Sequence, residues 1–202
     1  MTESRGPEAA ALKRDLRVAA RARRERRSTE DRAALALALA AEAEAEPLRS
    51  ASSVAAFIGV GSEPDTLPLV TELYRRGVRV LLPVVLSDLD LEWAAYAGEA
   101  QLVAGPKGLR EPDGPRLGRQ AIATADVVLV PALAVDTDGR RLGQGGGCYD
   151  RALQRVPTGV PQLAVVFDDE LVEALPEEPH DRRVTGRLGG RIRPTAPTSP
   201  TS

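Results

Sequence analysis

Residues 52–85 constrain the fold most. An apolar run, SSVAAFIGV (52–60), precedes a polar turn, GSEPDT (61–66). A helical segment that stops at a glycine follows, LPLVTELYRRG (67–77), and then a second apolar run, VRVLLPVV (78–85). Strand, crossover helix and strand in that order build a parallel pair. Strands apolar at successive positions are buried on both faces. ADVVLVPALAV (125–135), whose strand stops near Pro131, and VPQLAVVFDDELV (160–172) add two more strands. The expected fold is α/β: a single domain over residues 8–186 with a largely parallel central sheet flanked by helices, a Rossmann-like three-layer arrangement.

Upstream, residues 8–27 carry helix formers but few large aliphatic side chains, so this helix is not expected to be firmly buried along its length. Residues 28–46 form a second helix, capped by Ser28, with Asp31 as a weaker capping-box partner. Its AEAEAE end alternates like a strand, but alanine and glutamate are poor strand formers. LDLEWAAYAG (89–98) reads as an extended piece, GLREPDGPRLG (108–118) as a loop, and RRVTG (182–186) as a last edge strand. Residues 187–202, rich in Gly, Pro and Thr, read as a flexible tail.

The chain has 202 residues and a formal charge of −2, which does not suggest general attraction to nucleic acid or to an anionic membrane. No apolar run is long enough to cross a bilayer. The single cysteine, Cys148, precludes an intramolecular disulfide and suits a reducing cytoplasm. A monomer without nucleic-acid or membrane partners is expected.

Chemistry concentrates in RRLGQGGGCYD (140–150). Gly143, Gly145, Gly146 and Gly147 reach backbone conformations closed to other residues and admit a ligand to the main chain. Their N–H groups can converge on an anion, the next helix start adds a favourable field, and Arg141, with Arg140, offers donors suited to phosphate. The loop is neither a Walker A motif, lacking Gly-Lys-Ser/Thr, nor the dinucleotide fingerprint, since Cys148 stands where the third glycine falls. A floppy turn is the plainer alternative. Asp150 and Asp136 bracket the loop; carboxylates beside phosphates call for a cation such as Mg²⁺, though each aspartate could equally serve as a cap or turn residue.

Other candidates are weaker. Glu63 has no capping duty and is open to ligand contact, whereas Asp65 and Thr66 suit the start of the next helix. Trp93 and Tyr96 could line a flat ligand or pack in the core. Lys13, Arg14 and Arg17 form a cationic turn that could clamp phosphate, although solvation is the plainer role. His180 and Asp181 make a short polar pair, too few ligands for a zinc site. Cys148 reads as a small spacer, and Ser62 lacks a nucleophile elbow.

Taken in order, KRDLR (13–17), GSEPDT (61–66), LDLEWAAYAG (89–98), GLREPDGPRLG (108–118), VVLVPALAVDTDGRRLGQGGGCYDRAL (127–153) and LAVVFDDELVEALPEEPHD (163–181) closely resemble the 5-formyltetrahydrofolate cyclo-ligase family. The resemblance implies ATP- and Mg²⁺-dependent closure of 5-formyltetrahydrofolate to 5,10-methenyltetrahydrofolate, with ADP and phosphate released. It implies Lys13, Arg14 and Arg17, together with Arg141, Leu142, Gly143, Gln144, Gly145, Gly146, Gly147 and Tyr149, as the ATP site, and Arg141 and Asp150 as catalytic groups. Asp150 and Asp181 would hold Mg²⁺. Ile58, Glu63, Trp93 and Tyr96 would contact the folate. This sequence departs from the family at Cys148, where tyrosine is common, at Gln144, where some members carry arginine, and in its glycine-rich end. A nucleotide- or folate-binding protein with little turnover is the alternative reading.

Overall fold

The computed structural model describes residues 5–188. Two helices come first, α1 (Arg5–Glu25) and α2 (Thr29–Ala41). There follow β1 (Ser53–Ala55), α3 (Leu67–Arg75), β2 (Arg79–Val85), β3 (Leu91–Ala95), β4 (Leu102–Ala104) and β5 (Arg110–Pro112). The second half holds β6 (Val127–Pro131), β7 (Ala134–Asp136), β8 (Arg141–Leu142), α4 (Cys148–Leu153), β9 (Gln162–Val165), β10 (Leu171–Val172) and β11 (Gly186–Arg187). The main sheet has the order β11-β9-β6-β1-β2-β3, parallel throughout except for the β2–β3 hairpin.

Side-chain alternation along the central strands divides the core into two faces. Val54, Val80, Leu82, Val127, Leu129, Leu163 and Val165 meet Leu39 of α2 and Leu69 and Leu73 of α3. Ala55, Leu81, Val128, Val130 and Ala164 meet Ile122 of the 3₁₀ segment Arg119–Thr124 and Ala152 and Leu153 of α4. Each fully buried leucine contributes about 1.5–3 kcal/mol relative to an exposed one. The result is the expected single α/β domain with three layers.

Local chemistry sets the boundaries. Ser28 Oγ accepts the Asp31 N–H at 3.0 Å and starts α2. That helix ends at Ala41, earlier than expected, and the acidic repeat continues as one 3₁₀ turn, Glu42–Glu44. At α3 the capping acceptor is Asp65, which takes the Leu67 N–H at 3.0 Å. The Thr66 hydroxyl instead joins the Phe57 carbonyl to the Gly59 N–H. The run 52–60 pairs as strand only over Ser53–Ala55 before turning toward Glu63. The final strand falls at Gly186–Arg187 rather than 182–186, because the Arg182–Thr185 stretch is held by loop contacts such as Val184 N–H to the Gly139 carbonyl. The first two residues of the expected flexible tail 187–202 are instead ordered, Arg187 paired with Ala164 and Leu188 buried, and residues 189–202 lie outside the described residues.

α1 packs with two of its charges, Lys13 and Arg24, inward. Lys13 is 3% and Arg24 1% exposed, whereas Leu12 is 51% and Val18 66% exposed. Arg24 donates to both oxygens of the buried Glu170 at 2.7 Å and also reaches the Ala132 carbonyl. Arg27 lies over the Phe167 ring, 3.8 Å from its centre. Beneath α1 a small sheet, β10-β7-β8, buries Leu133, Ala134 and Leu142 with Ala20. Asp136, fully buried, organises its turn by accepting N–H groups of Asp138, Arg140 and Leu175 at 2.8–3.0 Å. Asp136 is therefore a turn residue.

Candidate active site

β1 leads one way to β2, and the chain later returns to place β6 on the other side of β1. Open α/β sheets bind ligands in the crevice at such a reversal, outside the carboxyl ends of the strands. The loops after β1 and β6 supply the walls of a cleft of about 1200 Å³, closed on a third side by α1.

The glycine loop follows β8 and enters α4. Gly145 (φ +102°) and Gly147 (φ +67°) hold the left-handed conformations that expose the main chain. Three cations spaced four apart on α1 reach the cleft: Lys13, Arg17 and Arg21. Arg17 Nε donates to the Gly143 carbonyl at 2.9 Å. Arg21 donates to the Gln144 carbonyl at 3.1 Å and to Gln144 Oε1 at 2.9 Å. Arg141, its side chain 4% exposed, donates to Asp150 Oδ1 at 2.8 Å and to the Pro131 carbonyl at 3.3 Å. Arg151 ties the Gly146 carbonyl (2.8 Å) to the Leu89 carbonyl (2.6 Å) at the tip of the β2–β3 hairpin.

Acidic groups line the same wall. Asp150 Oδ1 also accepts the Arg182 N–H at 3.1 Å, while its Oδ2 has no hydrogen-bond partner among the described residues. Lys13 Nζ donates to Glu178 at 2.8 Å and to Asp181, and with His180 these carboxylates form a cluster within 4.8 Å. Hard carboxylate oxygens suit a magnesium ion better than a soft metal. The Lys13 ammonium between Glu178 and Asp181 shows that this pair attracts positive charge. The Tyr149 hydroxyl is buried without a partner among the described residues, though the residue as a whole is half-buried. Burial, reinforced by the Glu63 charge, holds it well above the ordinary phenol range.

Across the cleft, Ile58 and Glu63 come from the loop after β1, and Pro83, Val85, Leu86 and Leu89 from the hairpin. The Val60 N–H fixes Glu63 Oε2 at 3.2 Å, and Gln144 Nε2 meets Oε1 at 3.1 Å. The main chain at Gly59 closes this turn: a Cβ there would lie 1.9 Å from the Pro64 carbonyl oxygen.

Four expected contact residues do not line this cleft. Trp93 is fully buried among Ile122, Leu91 and Leu81, one step down β3 from the rim. Tyr96 faces α3, its ring edge-on to Tyr74 at 5.3 Å and its hydroxyl 3.3 Å from Thr71 Oγ1. Arg14 projects to solvent, one helix position from buried Lys13. Leu142, alternating with Arg141 on β8, points under α1. Arg140 is likewise engaged elsewhere, by Asp136, Asp138 and Glu177. The remaining expected residues, Lys13, Arg17, Ile58, Glu63, Arg141, Gly143–Gly147, Tyr149, Asp150 and Asp181, share the cleft. Sequence reading passed over Arg21, Arg151 and Glu178, and took up His180 only as one of too few ligands for zinc. Only Arg21 carried a periodic signal, four positions after Arg17.

Fold and cleft together define an α/β protein of the open parallel-sheet class, with a basic, glycine-lined pocket at the sheet's carboxyl edge. Compared with known proteins, the chain belongs to the 5-formyltetrahydrofolate cyclo-ligase family, whose model matches residues 9–187. It is 48% identical over 141 residues to a 5-formyltetrahydrofolate cyclo-ligase of Mycolicibacterium smegmatis, covering 67% of this chain and 72% of that protein. The Escherichia coli cyclo-ligase is 37% identical over 138 residues, covering 67% and 76%. The solution structure of Aquifex aeolicus 5,10-methenyltetrahydrofolate synthetase matches with a TM-score of 0.76 at 28% identity, over 92% of this chain and 95% of that one.

Proposed function

We propose that this chain closes 5-formyltetrahydrofolate to 5,10-methenyltetrahydrofolate at the expense of ATP, with Mg²⁺. Family membership supports the reaction. The observation that carries its assignment to this cleft is that one pocket gathers Arg17 on the glycine loop, Arg141 on Asp150 and Lys13 on Glu178 and Asp181, with Glu63 opposite.

An amide oxygen is a poor leaving group and phosphate is a good one. In the proposed course the formyl oxygen attacks the γ-phosphorus and the bond to the bridging oxygen breaks, releasing ADP. N10 then attacks the activated carbon, the carbon–oxygen bond breaks, phosphate departs and N10 loses its proton. Such transfers ask a protein mainly for alignment and for neutralisation of spreading charge. Lys13, Arg17 and Arg141 supply that positive charge, and the exposed N–H groups of Gly145–Gly147 add neutral donors. Glu63, held by the Val60 N–H, accepts from pterin N–H groups. Ile58 covers the ring beside it. Asp150, through the oxygen that has no partner among the described residues, and Asp181 would hold Mg²⁺, which would supply charge neutralisation at the phosphates. Cleft walls shared by α1, the glycine loop and the hairpin exclude water from the activated carbon.

The test is the absorbance of methenyltetrahydrofolate formed from 5-formyltetrahydrofolate. Product that needs both Mg²⁺ and ATP supports the reading. Folded protein that binds both ligands and releases no phosphate would make it a binding protein.

A further inference from the structure

Gln144 spans the cleft mouth between two charges of opposite sign. Arg21 donates to its Oε1 through Nε at 3.2 Å and Nη2 at 2.9 Å, and to its main-chain carbonyl at 3.1 Å. Its Nε2 donates to Glu63 Oε1 at 3.1 Å. Guanidinium only donates and carboxylate only accepts, so one orientation of the carboxamide satisfies both. Arg21 therefore aims the amide nitrogen at Glu63. The other carboxylate oxygen is already taken by the Val60 N–H at 3.2 Å, so Oε1 is the face Glu63 offers the cleft.

We infer that the Gln144 side chain is an internal competitor for the Glu63 carboxylate, filling the acceptor that the N–H groups of the folate ring take. A carboxamide N–H and the lactam and amino N–H groups of a pterin are the same kind of donor, so both cannot occupy Oε1 at full strength. The inference rests on the proposed role of Glu63. It makes Gln144, through its side chain, a residue that sets folate affinity rather than one that holds triphosphate. Both partners are reachable by water, so the contact is worth an ordinary hydrogen bond and its release changes affinity about fivefold.

The experiment is calorimetric titration of the full chain with 5-formyltetrahydrofolate and, separately, with Mg-ATP. Wild type, Gln144→Ala, Glu63→Ala and the double variant are compared. Gln144→Ala should bind folate about fivefold more tightly with Mg-ATP affinity unmoved, and should have no effect in the Glu63→Ala background. Unchanged or weaker folate binding by Gln144→Ala, with Glu63→Ala impaired, overturns the competitor and leaves the role of Glu63 standing. Loss of Mg-ATP affinity in Gln144→Ala would assign the side chain to the triphosphate and overturn it as well. If Glu63→Ala binds folate like wild type, the role of Glu63 fails, and the competitor with it.

Discussion

Arg141 and Asp150, nine positions apart, meet at 2.8 Å across the base of the glycine loop. The arginine is nearly buried and the aspartate keeps one oxygen without a partner among the described residues. One pair thus fixes the loop and offers both a cation and an anion to the cleft. Phosphate and a hard metal ion ask for that combination.

Lys13 stands on the same wall, bonded to Glu178 and Asp181, and its removal should fall on the nucleotide. Lys13→Ala is expected to raise the KM for ATP about tenfold and to leave folate affinity within about twofold. Steady-state kinetics with each ligand varied in turn check this. An unchanged ATP dependence would rule out the contact.

The position of α1 depends on a buried ion pair. Glu170→Ala leaves Arg24 charged, 1% exposed and without its carboxylate. The expected loss is roughly 3–5 kcal/mol, read from denaturant unfolding. Replacing both partners with apolar residues of similar size should cost much less than either single change. A double variant that loses the sum of the two single losses would show that the two do not act as a pair.

Acid stability should report on Asp90. Arg155 first, then the Leu91 N–H and Arg119, hold its carboxyl below the ordinary carboxylate range, against the opposing effect of burial. A depressed folded value gives stability that is present above the unfolded value, about 3.9, and lost as pH falls through the lower folded one. Unfolding midpoints from about pH 6 to about pH 3 should therefore fall less steeply for Asp90→Asn than for wild type. Parallel slopes would contradict the assignment.

The parallel sheet was legible because its strands are apolar at successive positions and a helix separates β1 from β2. The glycine loop was legible because few turns need so many glycines beside arginine. Trp93 and Tyr96 were not, since their side matters more than their type: Leu91 reaches the rim while Trp93, on the same face, sits one step deeper. The burial of Lys13 was invisible because its partner Glu178 lies 165 residues away. Turn chemistry, not ligand binding, explains Asp136, whose carboxylate is taken up by three main-chain N–H groups and the Arg140 guanidinium.

The central claim is that phosphoryl activation of the formyl group happens beside Asp150. Its most direct measurement is methenyltetrahydrofolate absorbance for wild type and Asp150→Ala, with separate titrations of each ligand. The account predicts ATP-dependent product from wild type, at least about a tenfold lower kcat/KM for Asp150→Ala, and folate binding largely retained. Full Mg-ATP-dependent turnover by Asp150→Ala would contradict it.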